Sequence, residues 1–60
     1  MTNYKLMTRR INNAITISDL KDLDKSLDRL FEAGVFSISE FDRLDDKILR
    51  RVFKLEESLT

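Results

Sequence analysis

The sequence predicts an all-α protein: an antiparallel αα-hairpin over about residues 18–33 and 38–57, preceded by an N-terminal amphipathic helix or arm over about residues 3–13. Three observations carry this. Apolar residues recur at spacings of three and four along most of the chain, the repeat of one helical face. There is no Pro and only one Gly, so a single strong interruption divides the pattern. Directly after that Gly stands Ser37-Ile38-Ser39-Glu40, a helix-start signal.

In the N-terminal segment Tyr4, Met7, Ile11 and Ala14 step by three and four, which gives an amphipathic helix. Asn12 and Asn13 and the β-branched Ile15, Thr16 and Ile17 weaken helix at its end and favour a short extended link. The first hairpin helix starts at Thr16 or Ser18. Thr16 has Asp19 three residues on and an Ile15–Leu20 staple, Ser18 has good cap chemistry of its own, and the expected start is near 18. Leu20, Leu23, Leu27, Leu30 and Phe31 then form one stripe.

Gly34 suits the position that ends this helix, because a residue without Cβ enters the left-handed region without steric cost. In the following capping box the Ser37 hydroxyl accepts from the Glu40 amide and the Glu40 carboxylate from the Ser37 amide, with Phe36 and Phe41 at the staple positions. Along the second helix Ile38, Phe41, Leu44, Ile48, Val52 and Leu55 form the core stripe. Leu49, Phe53 and Leu59 widen it beyond what one partner helix covers. Two or three residues between the helices require them to fold back on each other.

Sixty residues form a single small domain, with 1–17 as a basic N-terminal helix or arm and 18–60 as the hairpin. A chain of this length buries only ~60% of the surface it exposes when unfolded, so a partner or self-association surface is expected. Without Cys or His, the chain has no disulfides, thiol nucleophiles, imidazole bases or zinc-finger spacings. Eleven basic and eleven acidic residues cancel. Their placement is uneven: +3 over residues 1–17, −5 over 18–46 and +2 over 47–60. No apolar run is long enough to span a bilayer and no signal peptide is evident, so a cytoplasmic protein is expected.

The stretch Ser26 to Leu49 resembles the short C-terminal domain family known as SHOCT, through Leu27, Leu30, Ala33, Gly34, Val35, Phe36, Ser37, Glu40, Phe41, Lys47, Ile48 and Leu49. The resemblance covers 24 of 60 residues without a gap. It departs at Leu44 and Asp45, where the family usually carries Lys. Family members commonly place the hairpin at the end of a larger chain, so the resemblance implies a non-enzymatic interaction or oligomerisation device. It supplies no catalytic residues.

Asp22, Asp24, Ser26 and Asp28 imitate the opening of a calcium loop, but its sixth position is Leu27 rather than Gly and its twelfth is Ala33 rather than Glu. Asp42, Asp45 and Asp46 would need a cleft to separate acid from base roles, and a lone hairpin has none. No catalytic, metal or cofactor residues are assigned, and no small-molecule substrate is expected.

The leading expectation is a non-enzymatic interaction module that binds and modulates a protein partner through Leu49, Val52, Phe53, Leu59, Tyr4 and Met7. Its size suits a bacterial or phage accessory regulator, for example of a recombinase or transcription protein. The alternative is a DNA-binding regulator using Lys5, Arg9, Arg10, Asn12, Asn13, Arg50, Arg51 and Lys54. Against groove insertion, the first half of the second hairpin helix carries Glu40, Asp42, Asp45 and Asp46. Arg50 and Arg51 also suit the negative end of a helix dipole. A third reading is a self-assembling oligomerisation scaffold.

Overall fold

A computed structural model of the chain describes residues 2–59, with side chains for residues 2–58. The described residues form three α-helices, α1 (Asn3–Asn13), α2 (Ile17–Glu32) and α3 (Ile38–Leu59). At roughly 1.5 Å per residue the 22-residue α3 runs about 33 Å, nearly the full 38 Å long axis of the molecule. The other two helices pack against α3 and against each other.

Each helix end has a local cause. Thr2 caps α1 by accepting the Lys5 amide at 3.2 Å. At Ala14 the chain turns extended, with φ −66° and ψ 129°. Thr16 caps α2, so the helix begins at Ile17 and takes in Ser18, slightly earlier than expected. An extended φ of −129° suits the β-branched Thr16, and its hydroxyl accepts the Asp19 amide at 3.1 Å.

The end of α2 is a Schellman motif. Gly34 has φ +80°, and the amides of Gly34 and Val35 donate to the carbonyls of Phe31 and Leu30 at 3.0 and 2.9 Å. A Cβ at Gly34 would meet nothing within 4 Å, so backbone conformation rather than crowding calls for glycine. Both capping-box bonds form: Ser37 N–H to Glu40 Oε1 at 3.0 Å and Glu40 N–H to Ser37 Oγ at 3.2 Å. Phe36 is buried and Phe41 stacks on Phe31 with centroids 4.5 Å apart, so the turn is tied from both sides.

Met7, Ile11, Ala14, Leu20, Leu27, Phe36, Leu44 and Ile48 form one core to which every helix contributes. Tyr4, Leu23, Leu30, Phe41, Val52 and Leu55 close around it. Two expectations are corrected. Ile38, assigned to the core stripe, is 70% exposed, because three turns before Leu49 it falls within about 20° of that residue's outward direction. Met7, offered as interface, is 2% exposed and belongs to the intramolecular core because α1 lies across α2 and α3. Tyr4 and Val52 are partly covered by the same packing.

Candidate functional site

The candidate site is α3 itself, which presents different chemistry on its two flanks. At about 100° per residue, Arg43, Lys47, Arg50, Arg51 and Lys54 share one flank, toward α1. Leu49 and Phe53, with Asp42, Asp45, Asp46 and Glu56 around them, share the other. The buried row of Leu44 and Ile48 lies between.

On the α1 side a groove of about 270 Å³ is lined by Asn12, Lys47, Arg50, Arg51 and Lys54, with no acidic residue in its wall. It meets a second groove, lined by Tyr4, Lys5, Thr8, Arg9, Asn12 and Asn13, at the shared Asn12. The cations differ in their commitments. Arg51 donates from Nε and Nη2 to the Ala14 carbonyl at 3.3 and 3.0 Å, fastening the end of α1 to the middle of α3. Arg50 pairs with Asp46 at 2.9 Å in an exposed bridge of little energetic weight. The Thr8 Oγ1 is buried in the α1 surface without a hydrogen-bond partner.

The structure therefore gathers Asn12, Arg50, Arg51 and Lys54, extends them through Lys5, Arg9 and Asn13, and separates Arg10. Arg10 and Asn13 line a different cavity, of about 370 Å³, together with Asp19 and Asp22, which oppose the Arg10 charge. Lys47 is a groove residue that sequence reasoning missed. Its spacing of three, four and seven residues from Arg50, Arg51 and Lys54 was the signal available. The dipole reading of Arg50 and Arg51 is corrected: α3 continues to Leu59, there is no basic residue in its last turn, and the dipole effect fades within that turn.

On the α2 side Leu49 is 53% and Phe53 58% exposed, one turn apart. Beside them a groove of about 200 Å³ has an apolar floor of Leu20, Ile48 and Val52 and a rim of Lys21, Asp24 and Asp45. Partial burial, and then Asp28 and Asp45 nearby, push the Asp24 carboxyl above its ordinary 3.8. The side chain of Leu59, expected at this interface, lies outside the described residues. A second apolar groove, of about 280 Å³ at the far end, lined by Ile15, Thr16, Ile17, Leu55 and Ser58, was also missed, with Ile15 77% exposed.

Among the described residues no group of three or more carboxylates is placed to hold a metal ion, and no helix is long and apolar enough to cross a membrane. No family model matches the chain, and searches of curated proteins and of solved structures find no match either.

Proposed function

We propose that the protein is a non-enzymatic interaction module that docks a basic amphipathic helix of a partner protein on the α2/α3 flank and thereby modulates that partner, acting in the cytoplasm. The observation that carries the proposal is the Leu49–Phe53 pair. Two large apolar side chains stand more than half exposed beside an apolar-floored groove, on a chain with little surface to spare. Helix-in-groove recognition reads side chains at such spacings. The rim bears on the partner's charge: Asp24 and Asp45 outnumber Lys21 there, and burial first, then Asp28 and Asp45, disfavour the Asp24 carboxylate, so a partner cation beside it would be favoured.

In this reading α2 and α3 run antiparallel. Support comes from the pairing of late α2 with early α3, Phe31 on Phe41, and of early α2 with late α3, Leu20 beside Ile48 and Val52. The SHOCT-like residues Gly34, Phe36, Ser37, Glu40 and Phe41 are those that build the turn. The resemblance thus bears on the hairpin, and the surfaces bear on the partner.

A photo-crosslinker at position 53, used in native lysate, tests this. The expected result is one saturable protein adduct whose crosslinked peptide is Lys/Arg-rich with apolar residues at helical spacing, competed by the parent protein but at least 100-fold less well by Leu49→Asp/Phe53→Asp. An adduct only with a second copy of the chain, or equal competition by that variant, would refute the reading.

A further inference from the structure

The opposite flank of α3 carries a separate inference, independent of the protein-docking reading. We infer that the groove between α1 and α3 binds the phosphate backbone of a nucleic-acid duplex, with Lys47 and Lys54 as its principal cations and Arg9, Lys5 and Asn12 extending it along α1.

The placement of charge supports this. Arg43, Lys47, Arg50 and Lys54 follow one another at steps of four, three and four residues, a row of roughly 16 Å at ~1.5 Å per residue. That row is long enough to meet more than one successive phosphate of a strand. Asn12 adds an uncharged amide able to donate to a phosphate oxygen. Of the acids of α3 that argue against groove insertion, Asp42 and Asp45 lie on the other flank, and Asp46 sits at its edge paired with Arg50. Glu40 shares the basic flank but is held in the capping box with Ser37 at the start of the helix, away from Lys47 to Lys54. The objection therefore applies to a recognition helix and not to a surface that lies along the backbone. Arg51 is committed to the Ala14 carbonyl, where it holds α1 in place and so maintains the second wall of the groove.

The same flank distinguishes among polyanions. Single strands are held by base stacking on exposed aromatic rings. Here Phe36 is buried, Phe31 and Phe41 stack on each other, Phe53 belongs to the far flank, and Tyr4, partly buried against the core, is the one ring that lines the extension along α1, too few for a stacking platform. An anionic membrane surface would be met by apolar side chains beside the cations, and the wall of the α1/α3 groove contains only Asn, Lys and Arg. What remains is positive charge and polar donors in a row, the requirement of a duplex backbone.

The test is fluorescence anisotropy of the full chain with a 20-base-pair DNA duplex, the same duplex as RNA, and phosphatidylserine vesicles, from 20 to 200 mM salt. Duplex binding in the micromolar range at low salt is expected, with a slope of log K against log salt of about −4. Lys47→Gln/Lys54→Gln should weaken it at least fivefold and reduce the slope by about two, with helicity unchanged by circular dichroism. Leu49→Ser/Phe53→Ser, which leaves the net charge unchanged, should bind as the parent does. The DNA and RNA arms identify the source of the backbone, and binding in either supports the inference. Absence of duplex binding, preference for the vesicles, or an unaltered slope in the lysine variant would overturn it.

Discussion

The two flanks of α3 stand on one helix, about 10 Å across, yet they differ in chemistry. Toward α1 the helix offers Lys47, Arg50 and Lys54 in a groove with no acidic residue in its wall. Toward α2 it offers Leu49 and Phe53 beside a groove rimmed by Lys21, Asp24 and Asp45. The difference shows how a neutral 60-residue chain separates charge. Because 3.6 residues complete a turn, cations at steps of three and four gather on one side, while Asp42, Asp45 and Asp46 fall on the other. Net charge of zero therefore says little about either face.

Detaching α1 should have the largest effect on the basic flank, since the basic groove has its second wall only while α1 is docked. Arg51→Gln removes the two-pronged bond to Ala14 and should cost about 1.5 kcal/mol, the low end for a charged donor because the site is only part-buried. Amide hydrogen exchange should show α1 opening well before α2 and α3. Arg51→Lys, which keeps the charge but loses the fork, should recover only part of the protection.

A smaller effect of opposite sign is expected on the same side. Thr8→Val deletes a buried hydroxyl without a partner while preserving shape, and should stabilise the fold by about 1 kcal/mol, raising Tm by ~4–8 °C in a domain of this size. Loss of stability would mean that the hydroxyl has an acceptor in solution.

The smallest effect lies on the acidic flank. The folded Asp24 carboxyl holds its proton more tightly than the unfolded one, so its stabilising contribution is present below the unfolded value near 3.8 and is lost as pH rises through the raised folded value. At pH 7 the ionised group opposes folding. Asp24→Asn should thus be more stable than the parent at pH 7 by about 0.2–0.5 kcal/mol, the scale of a like-charge pair one turn apart such as Asp24 and Asp28. The advantage should vanish below about pH 4, as urea titrations at the two pH values would reveal.

Local chemistry was legible in the sequence and long-range chemistry was not. The Gly34 turn, the Ser37–Glu40 capping box and the bounds of α1 follow from residues within four positions of one another. The start of α2 was harder, because Thr16 and Ser18 are both competent caps, and the extended backbone entering from Ala14 favours the β-branched residue. Ile38 sits at the edge of the apolar stripe, and periodicity alone does not say which edge residues a neighbour covers. Arg51 is 37 residues from its acceptor, beyond the reach of any spacing rule. Met7 needed the position of α1 before its burial was apparent.

Photo-crosslinkers at positions 47 and 53, compared in the same native lysate with and without nuclease, give the sharpest test of the two flanks of α3. Position 53 is expected to yield a protein adduct indifferent to nuclease, and position 47 an adduct that nuclease trims. The same product from both positions would contradict the division of α3 into two working flanks.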